Sequence, residues 1–268
     1  MLIGNCKFDV GNRCYIMGIL NVTPDSFSDG GQWQDLDKAL WHTEQMIEDG
    51  ADIIDVGGES TRPGHESITI LEEIDRVMPI VEALCERFDV PISIDTYKST
   101  VASAAVNAGA AMVNDVWGLK HDCEMARVIA SNNVACCLMH NREAINYGKF
   151  MQDVLSDLNE SVRLASEAGI AHDKIILDPG IGFAKTYEMN LEAINRLDDV
   201  VRLGYPVLLG ASRKSVIGLT LDLPVTERVE GTIATTVIGV MRSCSFVRVH
   251  DVKETKRAIT MTEAVLNV

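Results

Sequence analysis

Eight short runs rich in β-branched residues, each followed by a stretch of helical period and each stopping at polar residues, predict an α/β protein. The predicted architecture is a (β/α)8 TIM barrel, a single domain over residues 1–268 with a short N-terminal hairpin. A chain of 268 residues with 47% hydrophobic content can bury such a core. No Pro/Ser-rich spacer, low-complexity tract or long block of one charge marks a linker. An open doubly wound sheet has the same rhythm and is the structural rival, because rhythm alone does not show closure.

The first fourteen residues carry two turn-like Gly-Asn pairs, which predict the hairpin. Strands are then predicted at 15–20, 52–56, 91–94, 111–114, 134–139, 174–177, 206–209 and 245–249. Between them, LDKALWHTEQMIEDG, ILEEIDRVMPIVEALCERF, STVASAAVNAG, VLSDLNESVRLASEAG and TERVEGTIATTVIGVMRS have helical period, and several end in glycine.

Composition removes several function classes. A net charge of −15 opposes both nucleic acid and an anionic membrane, so neither is expected as a partner. It leaves room for an anionic small molecule held by a few local cations. The N-terminus lacks a basic start followed by an apolar run, and no stretch approaches the roughly 20 apolar residues of a bilayer span. A soluble cytoplasmic protein is the expectation. Its seven cysteines are scattered without a CxxC pair and read as reduced thiols.

A barrel builds its active site at the carboxyl ends of its strands. Here those ends read Asn21, Asp55 with Glu59 to Pro63, Asp95, Asn114 with Asp115, His140, Asp178 to Phe183, Ser212 to Ser215, and Arg248 to Asp251. Any one Asp or Asn after a strand is more often a helix cap, and for Asp115, Glu59 and Asp251 the reading stands as a cap or as a partner that supports a site residue from behind. His140 reads as a structural histidine. Caps do not require Arg, Lys and His, so eight polar ends on one rim point to a site.

Two chemistries separate. Asp95, Asn114, Asp178 and Lys214 offer deep donors and acceptors for a flat heterocycle bearing amide and amino groups. Thr61, Arg62, Arg248, His250 and Asn21 suit an oxyanion, with the Asn21 amide oxygen available to a hard cation such as Mg²⁺. A heterocycle with an anionic leaving group is implied. GIGFAK at 180–185 falls short of a dinucleotide fingerprint, and neither GxxxxGK[ST] nor HExxH occurs. The loop NVTPDSFSDGG, 21–31, is too polar to pack inside and is expected to close over a bound ligand.

MGILNVTPDSFSDGG, DIIDVGGESTRPG, ISIDTYK, NDVWG, LMH, ILDPGIGFAKT, GASRKS and RVHDVKET occur in that order over essentially the whole length. Through them the chain resembles the dihydropteroate synthase family. The resemblance implies a barrel enzyme that joins 6-hydroxymethyl-7,8-dihydropterin pyrophosphate to p-aminobenzoate with Mg²⁺ present, and a homodimer through outer-wall helices. Carried over, Asp95, Asn114, Asp178 and Lys214 hold the pterin, with Met139 and Gly210 lining the slot. Asn21, Thr61, Arg62, Arg248 and His250 take the pyrophosphate, with Asn21 on the metal. Pro24, Phe27, Pro63, Phe183, Lys214 and Ser215 form the p-aminobenzoate pocket.

The catalytic set is Lys214, Arg248, Asp95, Asp178 and His250. The expected mechanism is a dissociative displacement, in which the pyrophosphate leaves before a neutral aromatic amine attacks. Two departures stand out: MHNREAINYGKFM lacks the Met-x-Gly-x-Pro common after this histidine, and MRSCS replaces a frequent Gly-Ala at a helix end. The second is expected to touch only that terminus. The rivals are the pterin-binding barrel of a corrinoid-dependent methyltransferase, which has no use for a pyrophosphate cluster, and a non-catalytic pterin-binding protein.

Overall fold

The computed structural model describes residues 1–22, 32–59 and 67–268, excepting the side chains of 32–35. The chain opens with an antiparallel hairpin of β1 (Leu2–Ile3) and β2 (Cys6–Lys7), turned at Gly4 with a φ of 55°. Glycine meets that left-handed requirement without steric cost, as the Gly-Asn pair predicts.

Eight parallel strands follow: β3 (Tyr15–Asn21), β4 (Ile53–Gly57), β5 (Ile92–Asp95), β6 (Met112–Asp115), β7 (Ala135–Met139), β8 (Ile175–Asp178), β9 (Leu208–Leu209) and β10 (Phe246–Val249). Neighbours in sequence pair in register from β3 to β8, and β10 pairs with both β9 and β3. Between β8 and β9 a parallel bridge joins Leu177 to Val207, and the Leu177 amide donates to the Pro206 carbonyl at 2.9 Å. These contacts close the ring, and the open-sheet alternative falls.

Outside run α1 (Gln32–Glu48), α2 (Ile70–Arg87), α3 (Ser99–Asn107), α4 (Met125–Asn132), α5 (Phe150–Glu167), α6 (Tyr187–Asn195), α7 (Leu197–Val201), α8 (Ser215–Leu221), α9 (Val229–Met241) and α10 (Val252–Leu266). Hydroxyls start two of them: Thr69 accepts from the Glu72 amide at 3.2 Å, and Thr186 from the Met189 amide at 3.3 Å. Among the described residues no helix is long and apolar enough to cross a membrane. The MRSCS terminus is confined to the end of α9, where Ser243 takes the left-handed φ of 64° that a glycine would take without strain.

Alternation along the strands divides the core in two. Ile16, Ile54, Ile94, Val113, Leu138 and Val247 face outward into one apolar layer shared with the helices. Tyr15, Met17, Ile53, Met112, Ile176, Leu208 and Phe246 face inward and fill the lower barrel, where Ile3 and Phe8 of the N-terminal segment plug the floor. The Phe8 ring sits 4.8 Å from Tyr15 and 5.7 Å from Phe246, between centroids. The packed floor leaves only the upper, carboxyl end of the barrel for polar side chains.

Phe8→Ala opens a void in that plug and should lower the unfolding free energy by about 3–5 kcal/mol in urea titrations. A loss under about 1 kcal/mol would mean that the plug adds little to the core.

Candidate functional site

The same alternation that sends Ile53 and Met112 inward sends Asp55 and Asn114 inward one step higher. A charge there is costly unless paired. The Asn114 amide nitrogen donates to Asp55 Oδ2 at 2.9 Å, and Arg248 Nε donates to the same oxygen at 2.6 Å. Arg248 Nη2 reaches Asp95 Oδ2, also at 2.6 Å. One guanidinium from β10 thereby ties together carboxylates from β4 and β5.

Burial works against the Arg248 charge, but Asp55 and Asp95 outweigh it and hold its pKa above the ordinary value. Burial pushes the Asp95 carboxyl up to about 7, Arg248 opposing and the Asp55 charge adding to the rise. Among the described residues neither Asp55 Oδ1 nor Asp95 Oδ1 has a hydrogen-bond partner, although both are buried.

Across the mouth, Asp178 ends β8 and accepts from the Gly180 amide at 2.6 Å. Burial raises its pKa and Lys214 opposes the rise. A Cβ on Gly210 would stand 3.4 Å from Asp178 Oδ2, so glycine there keeps the carboxylate face open. Met139 is buried at the end of β7.

Lys214 Nζ donates to the Ile181 carbonyl and lies 4.4 Å above the centre of the Phe183 ring. Burial brings the Lys214 pKa down to about 8, against the pull of Asp178. Its backbone is strapped in place: Arg213 adopts a φ of 56°, its guanidinium grips Asp251 at 2.9 and 2.5 Å, and Arg228 Nη1 donates to the Arg213 carbonyl at 3.0 Å. Ser215 follows, exposed, as the first residue of α8.

The oxyanion set is partly described. His250 Nδ1 lies 3.0 Å from the Ser212 hydroxyl. A Cβ built on Gly57 would lie 3.6 Å from Asp95 Oδ2 and 3.8 Å from Asn21 Oδ1, so the two side chains flank the open space over Gly57. Thr61, Arg62 and Pro63 lie outside the described residues, as do Pro24, Phe27 and the rest of 23–31.

The structure therefore brings Asn21, Asp95, Asn114, Met139, Asp178, Phe183, Gly210, Lys214, Arg248 and His250 to one mouth. Arg248, assigned from sequence to the oxyanion, is bonded to Asp55 and to Asp95 of the other set, so the two sets meet at it.

The structural readings divide: Asp115 acts as a cap, whereas Glu59 and Asp251 act as partners of Lys98 and Arg213 rather than as side-chain caps. Asp115 accepts from the Trp117 and Leu119 amides at 2.9 and 2.7 Å as a turn cap. Glu59 binds Lys98 at 2.5 Å. His140 is fully buried, with Nε2 3.1 Å from Asp157 Oδ2 and Nδ1 2.8 Å from Lys185 Nζ.

Asp55 is the residue that sequence reading placed at a strand end without giving it a role. The available signal was an acid inside an apolar run at an inward position, which demands a buried cation.

Residues 17–250 match the family profile described as pterin binding enzyme. A dihydropteroate synthase of Clostridium beijerinckii is 60% identical over 267 residues, 99% of each chain. One from Bacillus subtilis is 58% identical over 255 residues, 95% of this chain and 90% of its own. Among solved structures, a Clostridium difficile dihydropteroate synthase in the presence of pteroic acid has a TM-score of 0.94 at 52% identity, covering 97% of this chain and 99% of that one. A Xanthomonas albilineans dihydropteroate synthase with 4-aminobenzoic acid has a TM-score of 0.92 at 40% identity, covering 96% and 95%.

The buried His140 gives the chain an acid-sensitive joint. Burial lowers its pKa from 6.5 to about 4, so between those values the unfolded chain binds a proton that the folded chain refuses. The unfolding free energy should fall as pH drops through this window. Urea midpoints taken near pH 7 and near pH 5 should differ less in His140→Gln than in the wild type, and an unchanged difference would assign the sensitivity to another group.

Proposed function

The chain belongs to the dihydropteroate synthase family of pterin binding enzymes, and from that premise we propose how its barrel mouth carries out the family's transfer. It is a transferase: 6-hydroxymethyl-7,8-dihydropterin pyrophosphate is joined to p-aminobenzoate, giving 7,8-dihydropteroate and pyrophosphate. Its full-length identity to synthases sets it apart from the corrinoid-dependent and non-catalytic alternatives.

The observation that carries the site assignment is the buried Asp95 Oδ1, unpartnered among the described residues, on a strand paired with that of Asn114 and bonded through its other oxygen to Arg248. An orphaned buried acceptor costs about 1–3 kcal/mol, and the N–H edge of a bound pterin removes that cost. Asp95, Asn114, Asp178 and Lys214 hold the ring, while Met139 and Gly210 keep the slot flat and open. Asp95 and Asp178 face the ring as positive charge develops on it. Arg248 and His250, with Thr61 and Arg62, stabilise the departing pyrophosphate more strongly as the C–O bond stretches, so they lower the barrier to dissociation.

The amine attacks second and is neutral and nucleophilic at working pH, so no strong base is assigned. Phe183, Lys214 and Ser215 form the described wall against which it docks, with Pro24, Phe27 and Pro63 assigned to the rest.

Among the described residues no group of His, Cys, Asp or Glu is arranged to hold a metal ion alone. Asn21 offers one neutral oxygen near Asp95, a donor set that fits Mg²⁺ carried in on the pyrophosphate rather than chelated beforehand. When bound, the ion supplies positive charge to the leaving group.

A homodimer is proposed through the outer wall, where Leu219, Met241 and Met261 on α8, α9 and α10 are 68%, 62% and 65% exposed. The seven free thiols suit a reducing compartment, and a cytoplasmic location is proposed.

Incubation with both substrates and magnesium should release pyrophosphate in an amine-dependent way. Asn21→Ala and Arg248→Ala should each lower that rate by about 100-fold or more. Unchanged turnover in either variant would remove it from the pyrophosphate set.

A further inference from the structure

The divergent fifth loop, 140–149, is bonded to the sixth loop, 179–186, which carries Phe183. The sixth loop has an unusual backbone: Gly180, Gly182 and Ala184 have φ values of 69°, 85° and 43°. A chain that alternates in and out of the left-handed region turns its carbonyls away from any regular ladder, and each then needs a donor from elsewhere.

Three side chains supply those donors. Lys185 Nζ donates to the Gly180 carbonyl at 2.9 Å and the Phe183 carbonyl at 3.1 Å, Lys214 Nζ to Ile181, and the Tyr147 hydroxyl to Ala184 at 3.0 Å. The third donor of Lys185 meets His140 Nδ1 at 2.8 Å, which leaves Nε2–H to bond Asp157 Oδ2 at 3.1 Å. Asp157 also holds Arg142 Nε at 2.6 Å. The Arg142 guanidinium sits 4.4 Å over the Tyr147 ring, whose centre lies 6.0 Å from that of His140. Tyr147 is thus fixed by its ring while its hydroxyl reaches into the neighbouring loop.

We propose that Tyr147 and Lys185 are positioning residues for p-aminobenzoate: they clamp the sixth loop through the Ala184, Gly180 and Phe183 carbonyls so that the Phe183 ring stands correctly in the amine-binding wall. The inference rests on the assignment of Phe183 to the amine-binding wall. It gives the fifth loop a role in this chain, which lacks the Met-x-Gly-x-Pro sequence, through the Tyr147 hydroxyl.

Steady-state kinetics on the full-length protein test it. Tyr147→Phe keeps the ring and removes one hydrogen bond, so the KM for p-aminobenzoate should rise by about fivefold. The KM for the dihydropterin pyrophosphate and kcat should stay within about twofold of wild type, because the rest of the mouth is untouched. Phe183→Ala should raise the amine KM by itself, and adding Tyr147→Phe to it should produce no further rise, since the hydroxyl acts through that ring.

If Phe183→Ala raises the amine KM and Tyr147→Phe does not, the clamp is overturned and the wall assignment stands. If Phe183→Ala has no effect, both fall. Equal, additive losses in both substrates' KM would reduce Tyr147 to general scaffolding and also overturn the proposal. Lys185→Met, where it folds, should repeat the selective rise in amine KM.

Discussion

The cation between Asp55 and Asp95 is the interaction on which the mouth depends. Two carboxylates face inward at neighbouring strand ends, and without Arg248 they would face each other uncompensated in a buried space. With it, each gives one oxygen to the guanidinium, and the other has no hydrogen-bond partner among the described residues. Breaking such a buried pair by removing one partner costs about 3–5 kcal/mol. The arrangement is therefore a weak device for stability and a strong one for holding acceptors in place. Asn114 adds a third strand to the same network through Asp55.

The barrel makes this affordable by separating apolar and polar layers along one axis. Below, Phe8, Tyr15 and Phe246 fill the interior so that no water-filled channel undercuts the charges. Above, the acids sit in the strands themselves: Asp55 lies within β4, and Asp95 and Asp178 are the last residues of β5 and β8. A strand-borne side chain is held more tightly than a loop-borne one, which suits groups that must meet a flat ring. The loops contribute the remaining groups at the mouth. Lys214 and Phe183 come from two of them, each braced by buried or half-buried partners.

Much of this was legible in the sequence. All eight strands appear where predicted, with ends that differ by at most two residues, because the hydrogen-bonded ladder and the apolar run do not share limits. Closure was not legible, since the Leu177–Val207 bridge depends on strand twist and not on local pattern. Asp95, Asn114, Asp178, Lys214 and Arg248 could be placed at one mouth because polar and charged side chains at inward strand ends, or in the loops just past them, have few structural uses. Asp55 kept its role hidden because its partners are far off in the chain, Asn114 and Arg248. Tyr147 and Lys185 were hidden for the same reason, their targets being backbone carbonyls of another loop, which no side-chain motif encodes.

The most direct test of the central claim is a calorimetric titration of a pterin lacking the pyrophosphate into wild-type protein and into Arg248→Met. If Arg248 organises the ring-facing carboxylates, pterin affinity should fall by about 100-fold although the missing guanidinium has no pyrophosphate to meet. Unchanged pterin affinity in Arg248→Met would contradict the account and leave Arg248 to the leaving group alone.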